Sequence, residues 1–269
     1  MTTRPDPGPG FREVIRLYTG PVSRVEPTER GFSADVTAVV SGGAGRFFVK
    51  AMRKRSDGWH EQLLREKVIN PFVRTLAPEL LWTAEDSEWV ALGFESVEGR
   101  RTDFRLGSGD LSTVVELVNR IGELPLPEVA RDWRETRWDW WADRGAPELF
   151  VGDTLLHADI NPSNLLIGPD RCWVVDWAWP TRGAAFIDPA MMVLQFIGAR
   201  HPPAVAESWA KGCPAWTEAD PEAIDAFVVA YARLNRDRAL RRPEEPWLEA
   251  MAVAAESWAA HRGLTIHYY

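Results

Sequence analysis

Cysteine is scarce in this chain: Cys172 and Cys213 are the only two in 269 residues, too few for a disulfide framework or a Cys-based metal site. Cys172 falls in an apolar segment and reads as a buried, reduced thiol. Positive charge is also in short supply. The 31 Lys and Arg against 39 Asp and Glu leave a net charge of −8, which argues against binding a nucleic-acid backbone, since that needs clustered cations. No apolar run approaches the ~20 residues of a membrane span. The first ten residues are rich in Pro and Gly and lack the basic start and apolar core of an export signal; they read as a frayed tail. The expectation is a soluble, cytoplasmic protein with no membrane or nucleic-acid partner, and nothing in the composition selects between monomer and dimer. No internal repeat is present, and the phosphate-cradling pattern G-x-G-x-x-G is missing as well.

What the chain has is an apolar share of 45% and 14 tryptophans, enough for an ordinary core, and one dense polar motif. His157-Ala158-Asp159-Ile160-Asn161-Pro162-Ser163-Asn164 is followed by Val174-Val175-Asp176-Trp177. Asp159 can accept a hydroxyl proton. Asn164 and Asp176 offer hard oxygen atoms of the kind Mg²⁺ takes while it keeps contacts to substrate phosphates. Two carboxylates and a carboxamide in this pattern are the equipment of phosphoryl transfer, in which catalysis is mostly positioning and charge neutralisation.

Around this motif the punctuation suggests two halves. Residues 34–40 and 46–50 are β-branched and apolar and flank the turn Ser41-Gly42-Gly43-Ala44-Gly45, the composition of a hairpin. A helix is expected over 59–69 with Leu63 and Leu64 on one face. Asn70-Pro71 reads as the cap and first turn of another short helix. Strands are expected over 80–83 and 89–95. The polar segment Glu95-Ser96-Val97-Glu98-Gly99 reads as a hinge. Beyond it, apolar residues recur at helical spacing after Asp110, which reads as an N-cap. Further helices are expected over 190–197 (opened by Asp188-Pro189), 221–235 and 246–261. The Trp-rich stretch 125–145 reads as a loop-plus-helix insertion, and the apolar residues 264–269 read as packed rather than free. The boundaries are an N-terminal nucleotide-binding lobe over 1–95, a hinge over 96–100 and a helical lobe over 101–269.

The order of parts (a hairpin ending in Lys50, a helix bearing Glu66, a hinge, HADINPSN, then VVDW) resembles the aminoglycoside phosphotransferase-like branch of the protein-kinase-like fold. Choline and homoserine kinases share that fold or branch. The resemblance covers roughly residues 30–197 and is most specific at the two motifs. It implies an α+β, two-lobed architecture with an antiparallel sheet and one main helix in the first lobe. It implies that Lys50, at the end of an apolar strand, contacts the α- and β-phosphates and pairs with Glu66, with Glu61 as the competing partner. It implies that Asp159 is the catalytic-loop base and that Asn164 and Asp176 hold Mg²⁺ against ATP or GTP. Gly31, Phe32 and Ser33 stand where a reduced phosphate-covering loop would lie, and main-chain groups of Glu95 to Val97 would meet the adenine edge. His157 and Asp188 are implied to be structural, the imidazole bracing the catalytic loop and the carboxylate capping a helix or bracing the same loop.

Two departures sharpen the expectation. Regulated protein kinases carry an Arg where this chain has Ala158, and only about a dozen residues separate Asp176 from Asp188. Neither a phosphorylated activation segment nor its reader is present, so a constitutively competent enzyme is expected. Trp177-Ala178 replaces Phe-Gly, as is common in the small-molecule branch. The expected activity is transfer of a γ-phosphoryl group to a hydroxyl of a small molecule such as an antibiotic or amino sugar. Asp220, Glu222, Asp225, Glu244 and Glu245, together with Trp138, Trp140, Trp141, Trp209 and Trp216, would allow a cationic acceptor through ion pairs and cation–π contacts. Equally, several of these acids stand where helices begin and can serve there. The alternatives are transfer of AMP by a reversed nucleotide and non-catalytic nucleotide binding.

Overall fold

The computed structural model describes residues 8–28, 34–54 and 61–268; Gly31, Phe32 and Ser33 lie outside them. The chain divides into two compact units, Met1–Gly99 with Gly168–Trp179, and Arg100–Ile167 with Pro180–Tyr269. Among the described residues no helix is long and apolar enough to cross a membrane.

The first unit is built on an antiparallel sheet. Its strands are β1 (Val22–Pro27), β2 (Val36–Gly42), β3 (Gly45–Arg53), β4 (Leu80–Glu85) and β5 (Trp89–Glu95), in the order β1-β2-β3-β5-β4. Side chains alternate across a strand, so β3 sends Val49 and Ala51 to one face and Lys50 and Met52 to the other. The first face is covered by α1 (Pro9–Thr19), whose Phe11 and Ile15 pack with Val36, Ala38, Val40, Val49, Ala51 and Trp89. On the second face Leu63 of α2 (Glu61–Val73) joins Met52, Val90, Leu92 and Phe94. That alternation puts Lys50 on the side of the sheet that α2 covers.

Several expectations change here. The Pro/Gly-rich start is not a frayed tail throughout: Pro9 sits in the first turn of α1, where its missing N–H costs nothing. Among the described residues the unit therefore carries α1 beside the main helix α2. Asn70-Pro71 does not open a second helix, because α2 runs on through Pro71. Asn70 instead ties α2 to β4, its amide donating to Pro78 O and its oxygen accepting from Leu80 N–H, both at 2.8 Å. Leu63 and Leu64 do not share a face. Leu63 is 1% exposed and Leu64 38%, as a 100° step per residue requires. At the crossing of β4 and β5, Gly93 pairs with Trp82, and the Trp82 ring lies directly on it. A Cβ at Gly93 would fall 2.0 Å from the indole.

The second unit is mostly helical, with short strands that hold its loops. These are β6 (Arg100–Arg101), β7 (Thr154–Leu156), β8 (Leu165–Ile167) and β10 (Thr181–Gly183); β9 (Cys172–Val174) belongs to the first unit. β7 pairs antiparallel with β10, and β6 with β8. The helices are α3 (Leu111–Gly122), α4 (Ile187–Gly198), α5 (Pro203–Ala210), α6 (Pro214–Thr217), α7 (Pro221–Arg241) and α8 (Pro246–His261). α4 is apolar on every side and buried along most of its length. α7 and α8 form a hairpin stapled by Arg236, which donates to Glu249 and Glu256 at 2.7–2.8 Å. The stretch 125–145 folds into 3-10 turns rather than a loop and helix. Its Trp138 enters an aromatic cluster with Phe227 and Tyr231 of α7. The C-terminal segment packs, with Arg233 donating to His267 O at 2.8 Å and Tyr268 to Glu256 at 2.6 Å.

Asp110 precedes α3 without capping it. Its side chain is taken by Arg100 and by the Asp103 N–H. Of the two free thiols, Cys213 is buried, which pushes its pKa up to about 12, whereas Cys172 at the start of β9 is only half-buried.

Candidate active site

In the first unit a cation is held between two acids. Lys50 Nζ donates to both carboxylate oxygens of Glu66, at 2.7 and 2.8 Å, and to Asp176 Oδ1 at 2.7 Å. The Lys50 and Glu66 side chains are each 6% exposed, that of Asp176 31%. Burial alone would lower the Lys50 pKa, but the charges of Asp176 and Glu66 outweigh it and hold the ammonium above its ordinary value. Burial pushes the Glu66 carboxyl up, while the Lys50 charge and the Trp177 N–H pull it down. Asp176 follows β9, whose Val174 N–H bonds Leu76 O at 2.8 Å. The next turn places Asp176 at φ 63°, a left-handed conformation that a non-glycine residue adopts at a cost of ~1–3 kcal/mol and that concentrates at functional sites. Trp177 is buried and donates its indole N–H to Val174 O at 3.1 Å. Glu95 closes β5 with its N–H on Glu79 O at 2.8 Å, and Val97 follows half-buried outside any strand.

In the second unit the motif 157–164 is a wound loop with Asp159 near its centre. Asn164 Nδ2 donates to the Asp159 carbonyl and to Asp159 Oδ2, both at 2.9 Å. Asn161 closes an Asx turn onto the Ser163 N–H at 2.9 Å. Ahead of Asp159, Ala158 is fully buried at φ 58°. Both ends of its peptide group are clamped: Asp188 Oδ1 accepts its N–H at 2.9 Å, and Arg137 donates to its carbonyl at 2.7 Å. Asp188 Oδ2 accepts the His157 N–H at 2.8 Å. Burial raises the Asp188 pKa, against the opposing pull of His157 and these two N–H groups. Asp188 lies inside the first turn of α4, and Phe186 occupies the cap position. Its carboxylate therefore braces the loop rather than capping the helix.

Arg137 was not marked out by the sequence. It reaches Ala158 from the Trp-rich stretch, stacks on Trp138 at 5.1 Å, and takes a backbone turn from Glu135, whose carboxylate also accepts from Thr181 at 2.8 Å. Its place beside the loop arises from the packing of Trp138 on α7, which no local pattern announces.

The acids suggested for a cationic acceptor have other engagements. Asp220 caps α7 at the Glu222 N–H, Asp225 pairs with Arg262, and Glu245 accepts from Trp247 and Arg242. Glu222 and Glu244 are exposed. Trp138 and Trp216 are core, and Trp140 is open to solvent.

Each unit offers a hard oxygen of the kind a divalent cation takes. The Asn164 amide nitrogen is committed to Asp159, which turns its carbonyl oxygen the other way, and Asp176 adds a partly exposed carboxylate. Among the described residues no group of three or more His, Cys, Asp or Glu could hold a metal by itself. A lone carboxylate or amide oxygen of this kind suits Mg²⁺ that takes its other ligands from phosphates and water, rather than a metal caged by protein alone.

No protein-family model matches this chain, and no curated protein matches it. Solved structures do. The choline kinase LicA from Streptococcus pneumoniae superposes with a TM-score of 0.64 at 13% identity, over 93% of this chain and 98% of that one. The amicoumacin kinase hAmiN, solved with AMP-PNP, Ca²⁺ and its antibiotic, gives 0.60 at 12% over 99% and 96%. The aminoglycoside phosphotransferase APH(3'')-Id from Streptomyces rimosus gives 0.58 at 16% over 90% and 97%. The chain has the α+β, protein-kinase-like fold of these small-molecule phosphotransferases.

Proposed function

We propose that this chain, having the fold of small-molecule kinases, transfers the γ-phosphoryl group of ATP to a hydroxyl of a small molecule. The observation that carries the reading is Asp159, set in a strained, twice-clamped loop and hydrogen-bonded to Asn164, the kind of preorganisation that phosphoryl transfer needs. As the acceptor oxygen bonds to the γ-phosphorus, Asp159 takes the hydroxyl proton and the bond to the ADP oxygen breaks. Lys50, kept charged and aimed by Glu66, binds the α- and β-phosphates. Main-chain groups of Glu95 to Val97 receive the adenine edge, and Gly31, Phe32 and Ser33, outside the described residues, are the candidate phosphate contacts on sequence grounds alone. Asn164 and Asp176 would hold Mg²⁺, which neutralises charge on the phosphates when bound. The amicoumacin kinase complex with AMP-PNP and Ca²⁺ supports a nucleotide with a divalent cation, and ATP chemistry fits a cytoplasmic enzyme.

The test is ADP release with Mg²⁺-ATP or Mg²⁺-GTP across aminoglycosides, macrolides, choline, homoserine and amino sugars. Asp159→Asn is expected to lower acceptor-dependent turnover at least ~10²-fold while nucleotide affinity is retained. Full activity in that variant would remove Asp159 from the mechanism, and a product heavier by AMP would show transfer of the other end of the nucleotide.

A further inference from the structure

One arginine on α7 lacks what its neighbours have. Arg233 pairs with Asp143, Arg236 with Glu249 and Glu256, Arg241 with Asp237, and Arg242, just past the helix, with Glu245. Arg238 is half-buried, and among the described residues its guanidinium makes no hydrogen bond or ion pair. Withdrawing a guanidinium from water without a partner is unfavourable, so a lone one invites a ligand.

Its position says which site the ligand would share. Tyr231 and Arg238 are seven residues apart on α7 and so lie on one face. Tyr231 packs on Trp138 at 5.6 Å, and the adjacent Arg137 donates to the carbonyl of Ala158, the residue before Asp159. The same face of α7 thus runs past the loop that carries Asp159. Arg238 feels the charges of Arg137, Arg242 and Asp159, and Tyr231 those of Asp159 and Glu135. Burial first, then Arg137 and Arg242, work to lower the Arg238 pKa, and a bound anion would oppose them. The acids of the neighbourhood are occupied. Glu135 is taken by Thr181, the Arg137 N–H and, at 3.6 Å, the Arg137 guanidinium, and Asp159 by Asn164.

We infer that the acceptor carries an oxyanion, a carboxylate or a phosphate ester, held by Arg238 while its hydroxyl lies at Asp159. A guanidinium fork matches either group with paired N–H donors. The inference rests on the phosphotransferase reading for its hydroxyl and on the α7 geometry for its charge. The acceptor would be a hydroxy acid or a sugar or polyol phosphate rather than the cationic compound the acidic residues suggested.

Calorimetric binding and ADP release would be measured with glycerate and glycerol 3-phosphate as the anionic probes, against glycerol, choline and 1-amino-2-propanol, for the wild type, Arg238→Ala and Arg238→Lys. The expected result is that one anionic probe binds, glycerate marking a carboxylate site and glycerol 3-phosphate a phosphate site. Arg238→Ala should weaken that binding at least ~10-fold, and Arg238→Lys should recover part of it, keeping the charge without the fork. Unchanged melting temperatures would separate the effect from misfolding. Anion binding lost in Arg238→Ala without any ADP release would uphold the oxyanion site and sink the kinase reading. ADP release with choline, glycerol or aminopropanol but neither anion would do the reverse. Failure of both anions to bind at millimolar concentration, or equal anion binding by Arg238→Ala, overturns the inference.

Discussion

Lys50, Glu66 and Asp176 form a balance in which no member can be removed alone. Two carboxylates share one ammonium at 2.7–2.8 Å, and taking away the cation leaves like charges in a place where Glu66 is almost wholly out of water. Lys50→Ala is therefore expected to destabilise the protein by ~3–5 kcal/mol in urea denaturation, as for a broken buried ion pair. The double variant Lys50→Ala/Glu66→Gln should regain part of that loss, because the uncompensated charge is gone; equal losses in both would mean that packing, not charge, dominates. Asp188 poses the matching case for neutral partners. Asp188→Ala orphans the buried N–H groups of His157 and Ala158, each worth ~1–3 kcal/mol unsatisfied. It should lower both stability and turnover, whereas a change in stability alone would separate the brace from the chemistry. The pairing of Lys50 with Glu66 was implied by the family resemblance, the residues alone leaving Glu61 as a rival, and β3 does not end at Lys50 as expected but runs on to Arg53. The left-handed turn at Ala158 was not legible, since alanine avoids positive φ, and that at Asp176 was not singled out, since aspartate tolerates it without requiring it.

Elements were readable where one force acts and misread where two compete. The segment 89–95 was expected as a strand and is β5, because a short apolar run with Trp, Val and Phe between polar turns has no strong rival conformation. α1 was lost because Pro and Gly at its start signal disorder locally, while Phe11 and Ile15, four apart, pull it onto the sheet. α2 was cut at Pro71, although the Asn70 side chain holds the last turn to β4. The 3-10 turns of 125–145 owe their shape to Trp138 entering the aromatic cluster of α7, a tertiary event. A test at this scale is Gly93→Ala. The added methyl would overlap the Trp82 ring, and Trp82 itself is stacked on Tyr18 at 5.1 Å and edged by Phe47 at 5.7 Å. The strand cannot give way cheaply, so a loss of ~1–3 kcal/mol or more is expected, read as a lower melting temperature; an unchanged one would mean that the indole moves freely.

For the molecule as a whole, acid stability follows from carboxylates anchored by arginine. Arg100 holds the Asp110 carboxyl below the ordinary range against its burial, and Arg236 does the same for Glu256. A carboxyl depressed in the folded state stabilises fully above its unfolded value, about 3.9 for Asp, and that contribution disappears as pH falls through the folded value. Asp110→Asn should therefore melt below the wild type at neutral pH, with the gap closing as pH drops below ~4; a gap independent of pH would locate the effect in packing. On the proposed reading, the transfer chemistry and the anion contact of Arg238 sit on different parts of the second unit. The loop of Asp159 is clamped from outside by Asp188 and Arg137, while Arg238 rides on a helix whose other arginines are tied elsewhere. Descendants of this chain could thus inherit the transfer machinery unaltered and change diet through a single codon on α7, a drift in which the engine is conserved and only the appetite evolves.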